Sequence, residues 1–283
     1  MDSLNPPDVR AAVRLALAED LGTGDVTTNA VIPESARARA AMIARESLTV
    51  AGLEFAEAAF TELSPVAKVA PLVRDGQRVS ANARLLTVSG HARTILSAER
   101  VALNFVQHLS GIATCTAQFV AAIEGTKAVI LDTRKTTPGW RRFEKYAVRC
   151  GGGKNHRIGL DDLFLIKDNH LRLLERASPN GIVAAVRLAR SARPDLRVEV
   201  EADSLDQVGQ AIDAGADIIL LDNMSLENLR ASVRLVAGRA RTEASGGIRL
   251  SNVRAVAETG VDFISVGALT HSAPAVDIAL DFE

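Results

Sequence analysis

The sequence predicts an α/β protein in which an N-terminal α+β open sandwich precedes an incomplete C-terminal β/α barrel. First, the 283 residues exceed what one hydrophobic core usually carries, which favours two domains. Second, short β-rich runs with few helices fill the N-terminal part. Third, after Gly125 strands and helices alternate, and successive strand ends lie 21 to 23 residues apart. Repeats of this length are typical of β/α units.

The N-terminal part begins with apolar residues at helical spacing, which predict a helix over residues 8–21. Three β-rich pieces and one helix follow, at residues 41–50, 67–73 and 84–89 for the strands and 54–63 for the helix. A long apolar-periodic segment then starts at Ser97. We expect Gly111 to interrupt this segment and Gly125 to end it. These elements indicate a small sandwich.

The C-terminal part contains six short apolar runs, which predict parallel strands buried on both faces. They lie at residues 128–132, 163–167, 198–201, 217–222, 241–246 and 262–267. Segments that begin at a serine and end at a glycine separate the last four runs and predict helices. We allow a seventh strand between Tyr146 and Arg157. A barrel with fewer than eight strands is therefore expected.

Composition narrows the class of function. The chain has 47% apolar and 24% charged residues and a net charge of −1, which is ordinary for a globular protein and argues against a nucleic-acid binder. No segment resembles a secretion signal or reaches the roughly 18 apolar residues that span a bilayer. The two cysteines, Cys115 and Cys150, suit a reducing compartment. We expect a cytoplasmic protein that acts without nucleic acid or membrane.

Positive charge is concentrated between Asp132 and His170. This stretch has nine Lys or Arg residues against five carboxylates, although the whole chain has 33 basic and 34 acidic residues. A small polyanion is the partner that such a local field suits.

Polar residues at the strand ends are the candidates for a site, because β/α barrels bind their ligands at the C-terminal ends of the strands. The candidates are Arg134, Lys135, Lys167, Glu201, Asp222, Ser245 to Gly247 and Gly267, with His156 and Arg157 after a run of three glycines. The alternative for the cations is a solvated basic surface.

Two of these groups predict particular ligands. The glycine-bearing loops after the last two strands can bind a phosphate through backbone N–H groups, although each alone could be a simple turn. Glu201 and Asp222, on neighbouring strands, suit Mg²⁺, and ion pairs with nearby cations are the alternative. The five histidines lack the spacing of a zinc site. His91, His108 and His271 are interpreted as packing or interface residues.

Several long motifs occur in order along the chain, at residues 20–28, 99–104, 110–114, 132–170, 199–201, 220–223, 243–247 and 266–272. By these motifs the chain resembles the quinolinate phosphoribosyltransferase family over nearly its whole length. The resemblance implies a type II phosphoribosyltransferase-like fold, with the sandwich at residues 1–112 and the barrel at 113–270. Residues 271–283 would pack back on the N-terminal domain. It also implies a homodimer, with a hexamer left open, in which one subunit's N-terminal domain faces the other's barrel.

The implied reaction transfers phosphoribosyl from phosphoribosyl pyrophosphate to quinolinate with decarboxylation. It gives nicotinate mononucleotide, pyrophosphate and CO₂, in NAD biosynthesis. By motif match, quinolinate would contact Arg134, His156, Arg157, Lys167 and, from the partner subunit, Arg100. Phosphoribosyl pyrophosphate would contact Lys135, Glu201, Asp222, Ser245, Gly246, Gly247, Gly267, Ala268 and Leu269. Of these, Lys135, Glu201 and Asp222 are the expected catalytic residues, and the two carboxylates would hold Mg²⁺ directly or through water.

Three alternatives stand beside this interpretation. The first is a related ModD-type protein of molybdenum uptake loci, with an accessory role or another substrate. The second is a catalytically silent binding module that kept the phosphate loops. The third is another phosphate-binding barrel, such as an isomerase or synthase. The complete cationic set disfavours the second and third alternatives, because such groups are costly to bring together without a ligand.

Overall fold

The computed structural model describes residues 4–174 and 176–283, which form two compact units. The first unit contains the residues up to Ala117, Arg142–Gly152 and Ala273–Glu283. The second unit contains Gln118–Arg141 and Gly153–Ser272. The units divide the chain after Ala117 and after Ser272, a few residues from the boundaries expected at residues 113 and 271. Arg142–Gly152 also groups with the first unit, which the sequence did not indicate.

The elements up to the longest helix are α1 (Pro6–Leu21), α2 (Val26–Val31), β1 (Arg37–Ala44), β2 (Leu48–Thr49), α3 (Leu53–Leu63), β3 (Lys68–Pro71), β4 (Arg78–Val79), β5 (Arg84–His91) and α4 (Ala92–Ala122). The remaining elements are β6 (Val129–Leu131), α5 (Arg141–Cys150), β7 (Phe164–Ile166), α6 (Asp168–Leu173), α7 (Gly181–Ala192), β8 (Val198–Ala202), α8 (Leu205–Asp213), β9 (Ile218–Asp222), α9 (Leu226–Val236), β10 (Arg241–Ser245), α10 (Val253–Ala257), β11 (Phe263–Ser265), α11 (Ala268–His271) and β12 (Ile278–Phe282).

The first unit is built on an antiparallel sheet with the strand order β12-β1-β5-β3. Strands β2 and β4 form a separate two-stranded sheet. Helix α1 buries Val9, Val13 and Leu17, which recur every four residues on one face. The ring of Phe55 stacks on that of Phe105 with their centroids 4.7 Å apart. Aromatic pairs of this geometry contribute to core stability beyond the area they bury.

Helix α4 is continuous, so the expected interruption at Gly111 is wrong. A glycine inside a helix costs only about 1 kcal/mol relative to alanine, which the packing of a 31-residue helix offsets. A Cβ built on Gly111 would lie 2.1 Å from the carbonyl oxygen of Pro274. Glycine is therefore needed at this position for close backbone approach. Among the described residues, neither this helix nor any other is long and apolar enough to cross a membrane.

The second unit is built on a six-stranded parallel sheet with the order β6-β11-β10-β9-β8-β7. All six predicted strands are present, and β6 and β7 remain at its edges. The incomplete β/α barrel is thus confirmed. The seventh strand is wrong: residues 146–150 belong to α5, and only one parallel bridge, between Leu131 and Lys154, extends the sheet beyond β6. Helix α5 buries Phe143 and Ala147, which are four residues apart and give it a helical apolar face.

Candidate active site

A cavity of about 590 Å³ lies at the C-terminal ends of the parallel strands. Most of the predicted site residues line it: Arg134, Lys135, His156, Arg157, Lys167, Glu201, Asp222, Ser245, Gly246 and Gly247. Six further residues complete the lining, namely Thr133, Leu165, Leu220, Asn223, Glu243 and Ser265. The basic stretch and the two carboxylates therefore meet at one place, although they are far apart in the sequence.

Strand register brings the acidic residues to the cavity. Asp222 is the last residue of β9 and pairs with Ser245, the last residue of β10. Glu201, in β8, pairs with Leu220 of β9. Because parallel strands end at the same edge of a sheet, these polar side chains converge on one rim.

Two arginines form the cationic centre of the cavity. Burial lowers the pKa of the Arg157 guanidinium, and the positive charge of Arg134 lowers it further. Arg157 donates from Nη1 to the carbonyl oxygen of Leu163 at 3.1 Å. Within the described part of the chain, the Nε of Arg134 is buried and has no hydrogen-bond partner. Two guanidinium groups brought together in this way favour a bound anion, which would offset their repulsion.

The carboxylates at the rim have partners of their own. Nζ of Lys167 lies 3.1 Å from Oε2 of Glu201, so the ion-pair alternative holds for this residue. Oδ2 of Asp222 accepts a hydrogen bond from Nδ2 of Asn223 at 2.7 Å. Each carboxylate keeps further oxygen lone pairs, and oxygen is the ligand that Mg²⁺ prefers. The residues present therefore fit a magnesium ion.

The glycine loop after β10 has a backbone conformation that residues other than glycine rarely adopt. Gly246 and Gly247 have φ values of +92° and +62°. A Cβ on Gly246 would meet Oδ1 of Asn223 at 2.1 Å, whereas a Cβ on Gly247 would meet nothing within 4 Å. The loop is thus both strained for any other residue and open on one side, as a phosphate-binding loop requires.

Four predicted residues do not line this cavity. Gly267 lies beside it, since a Cβ there would be 3.1 Å from both Cδ of Lys135 and Nε2 of His271. Ala268 begins α11, and the side chain of the following Leu269 is fully buried, which leaves only its backbone for a ligand. Arg100 is an exposed residue of α4 in the first unit.

Two buried carboxylates, one of which lines the cavity, were not predicted as site residues. Glu199 and Glu243 are 0% and 1% exposed, and Nε2 of His156 lies 2.9 Å from Oε2 of Glu199 and 3.6 Å from Oε2 of Glu243. Burial, followed by the charge of Glu199, raises the pKa of Glu243 to about 8. The sequence did contain a signal: Glu199 is two residues before Glu201, and Glu243 two before Ser245, so each pair shares one face of its strand.

Comparison with known proteins identifies the family of the chain. The family model for the C-terminal domain of quinolinate phosphoribosyl transferase matches residues 112–281, and the model for its N-terminal domain matches residues 25–110. The chain is 46% identical over 278 residues to the nicotinate-nucleotide pyrophosphorylase (carboxylating) of Mycobacterium leprae, with 96% of each protein covered. It is 42% identical over 296 residues to the chloroplastic protein of the same name in Arabidopsis thaliana, covering 98% of this chain and 83% of that one.

A solved structure has a fold similar to that of this chain. The nicotinate-nucleotide pyrophosphorylase of Francisella tularensis superimposes with a TM-score of 0.94 at 44% identity, covering 99% of this chain and 98% of that one. The two family models together span most of the sequence, so the resemblance that the motifs indicated is confirmed. The chain belongs to the quinolinate phosphoribosyltransferase family.

Proposed function

We propose that this protein transfers phosphoribosyl from phosphoribosyl pyrophosphate to quinolinate and releases CO₂, giving nicotinate mononucleotide for NAD biosynthesis. The observation that carries the proposal is the pair of adjacent guanidinium groups, Arg134 and Arg157, in a cavity that also holds two carboxylates and a glycine loop. A dicarboxylate fits the two guanidinium groups. A diphosphate ester with its bound metal fits the two carboxylates and the glycine loop.

The charges in the cavity match a polyanionic pair of substrates. Four cationic side chains line the cavity: Arg134, Lys135, Arg157 and Lys167. They face Glu201 and Asp222, and burial raises the pKa of the third lining carboxyl, that of Glu243, to about 8, which favours its neutral form at pH 7. The cavity is therefore cationic before any ligand binds, which favours quinolinate and phosphoribosyl pyrophosphate over neutral ligands.

We assign quinolinate to the arginine side of the cavity. Arg134, Arg157 and Lys167 would hold its two carboxylates, and Arg100 would come from a partner subunit in a homodimer. Arginine suits this role because its guanidinium binds a carboxylate through two parallel hydrogen bonds. His156 lines the same cavity and would join these cations.

We assign phosphoribosyl pyrophosphate to the opposite side. Lys135 would offset the charge of the pyrophosphate, with backbone N–H groups of the loops at residues 245–247 and 267–269. Glu201 and Asp222 would hold Mg²⁺, which when bound neutralises charge on the diphosphate. As the pyridine nitrogen attacks C1 of the ribose, positive charge grows on the sugar, and the same two carboxylates stabilise it electrostatically.

Decarboxylation then needs little from the protein. The ring nitrogen is cationic after phosphoribosyl transfer, so the electron pair left on the neighbouring ring carbon is stabilised when CO₂ departs. That carbon takes up one proton. Cys115 and Cys150 are not joined by a disulfide, which is compatible with the cytoplasmic location that we also propose.

The function is tested by incubating the purified chain with quinolinate, phosphoribosyl pyrophosphate and Mg²⁺. We expect nicotinate mononucleotide, pyrophosphate and CO₂ in equal amounts. Nicotinate in place of quinolinate is the matched control, because it lacks the carboxylate that is lost. No product from quinolinate, or equally fast product from nicotinate, would contradict the proposal. The first outcome would favour an accessory or binding role, and the second a different phosphoribosyltransferase.

A further inference from the structure

The loops that follow β6 and β11 leave neighbouring strands of the parallel sheet. Leu131 of β6 is paired with Ser265 of β11. One residue beyond β11, the backbone N–H of Val266 donates to the carbonyl oxygen of Leu131 at 2.9 Å, which continues the pairing to the strand ends. The loop after β6 contains Lys135, which lines the cavity, and the loop after β11 leads into α11. The proposed function gives both loops the same ligand, phosphoribosyl pyrophosphate.

Thr270 in α11 connects the two loops through its side chain. The residue is only 3% exposed, and its Oγ1 donates to the carbonyl oxygen of Lys135 at 2.8 Å. The carbonyl oxygen of Gly267 is a second acceptor at 3.3 Å. That oxygen already accepts hydrogen bonds from the backbone N–H groups of Thr270 and His271, each at 3.2 Å. A hydroxyl has one proton, so the proton goes to the nearer acceptor, the carbonyl oxygen of Lys135.

Lys135 is also held at two other points. Its backbone N–H donates to Oγ1 of Thr133 at 3.0 Å. Its aliphatic stem passes close to Gly267, because a Cβ built on that glycine would lie 3.1 Å from Cδ of Lys135. A flexible lysine stem loses its freedom only where its surroundings confine it. The backbone of Lys135 is thus fixed on both sides, and the glycine leaves room for the stem.

We propose that Thr270 is a positioning residue: its hydroxyl holds the carbonyl of Lys135, so that the lysine ammonium meets the pyrophosphate beside the backbone N–H groups of residues 267–269. Thr270 acts through Lys135 in this role and needs no contact with the substrate. Fixing the lysine in advance lowers the entropy that is lost when the ligand binds. The inference rests on the proposed function and goes beyond it, because it names the group that orients Lys135.

The first test measures amide hydrogen exchange in the full-length protein without ligands. The amides of Lys135 and Thr136 both donate hydrogen bonds within the loop, and we expect them to exchange at least about tenfold slower than in an unstructured chain. Thr270→Val is similar in size but lacks the hydroxyl, and it should speed their exchange at least about threefold, whereas Thr270→Ser should not.

Two results of the exchange measurement would overturn the proposal. One is exchange at the unstructured rate in the original protein, and the other is unchanged exchange in Thr270→Val. The first needs no variant, so it decides even if a substitution prevents folding.

The second test compares the KM values of the two substrates. Thr270→Val should raise the KM for phosphoribosyl pyrophosphate at least about fivefold, the effect of losing one hydrogen bond between neutral groups. The KM for quinolinate should stay within about twofold. Thr270→Ser keeps the hydroxyl and should leave both KM values within about twofold of the original ones. Equal increases in both KM values for Thr270→Val would contradict the proposal.

The matched control is Thr259→Val. Thr259 is also buried in the second unit, and its Oγ1 donates to the carbonyl oxygen of Val256 at 2.6 Å. It precedes β11, whereas the cavity lies at the other end of the strands. The substitution should lower stability without changing either KM. A KM for phosphoribosyl pyrophosphate that rises as much as in Thr270→Val would show that the effect does not depend on Lys135.

A double-mutant cycle tests whether Thr270 acts through Lys135. In a Lys135→Ala background, Thr270→Val should have no further effect on the KM for phosphoribosyl pyrophosphate, because no ammonium remains to be positioned. Additive effects would mean that Thr270 acts by another route and that the proposal is wrong. Absence of product from the unsubstituted protein would instead refute the proposed function, and the exchange results would stand independently.

Discussion

Two consecutive residues after β6 contact different surroundings. Arg134 is half-buried next to Arg157, whereas Lys135 is exposed and lies beside Gly267. Both residues lie in the loop after β6 and both line the cavity, so one short segment can contact two ligands. The proposed division of the two substrates in the cavity is based on this difference.

We predict that Arg134→Ala weakens quinolinate binding by about 10- to 100-fold, the effect of losing a charge-assisted contact. Binding of phosphoribosyl pyrophosphate should change by less than about threefold. Lys135→Ala should show the opposite pattern. Isothermal titration calorimetry with each ligand measures both, and Arg134→Lys serves as the control that keeps the charge but loses the bidentate geometry. Equal losses for both ligands in Arg134→Ala would show that the division is wrong.

The buried carboxyl of Glu243 predicts a pH-dependent stability. Its pKa is raised from 4.5 to about 8 on folding, so the folded state holds this proton more tightly than the unfolded state. The stability gained from the protonated form is complete below about pH 4.5 and is lost as the pH rises towards 8 and beyond. Glu243→Gln removes this titration, because an amide stays neutral.

We therefore expect the stability of Glu243→Gln relative to the original protein to increase between pH 5 and pH 8.5. Urea unfolding at the two pH values measures the change. The same substitution at the exposed Glu227 should give a difference that does not vary with pH. A constant difference for Glu243→Gln as well would mean that the carboxyl is ionised in the folded protein.

At the scale of elements, two helical glycines should respond oppositely to alanine. A Cβ on Gly111 in α4 would lie 2.1 Å from the backbone oxygen of Pro274, whereas a Cβ on Gly209 in α8 would meet nothing within 4 Å. Gly111→Ala should lower the free energy of unfolding by about 1–3 kcal/mol, as overpacking does. Gly209→Ala should raise it by about 0.5–1 kcal/mol, because alanine favours the helix. Chemical denaturation compares the two, and destabilisation by both would contradict the distinction.

The strands of the second unit could be predicted because each is a short apolar run closed by a polar residue or a glycine. The ends of these strands also predicted most of the residues that line the cavity, because β/α barrels bind their ligands at the C-terminal ends of the strands. Helix α5 was misjudged because its apolar residues, such as Phe143 and Ala147, are interleaved with charged ones over too few turns to show a clear period. Glu199 and Glu243 were missed because a carboxylate in a strand normally indicates a solvent-facing position. The proximity of His156 to Glu199 joins distant segments of the chain, which no local pattern encodes.

At the scale of the whole molecule, the proposed homodimer predicts complementation between two inactive variants. Arg100→Ala and Arg134→Ala should each have little activity alone when the quinolinate concentration is near the KM of the original protein. In a mixed dimer, the subunit that keeps Arg134 would receive an intact Arg100 from its partner, which restores one site of two. Random mixing makes half of the dimers mixed, so about one quarter of the original activity should return.

The complementation is measured after the two variants are unfolded together and refolded. The control mixes them without unfolding, which should restore activity only as fast as subunits exchange. If no mixture recovers activity, Arg100 serves its own subunit.

The pairing of β12 with β1 has a consequence for how the protein is made. In the antiparallel sheet of the first unit, β1 pairs with β12, the last strand of the chain. The first unit also includes Arg142–Gly152. During synthesis this edge of β1 stays unpaired until β12 has left the ribosome, when most of the second unit is already available to fold. An unpaired edge is a template for aggregation. The unit that is translated first is therefore completed last, and nascent chains that stall before residue 278 should depend on chaperones most.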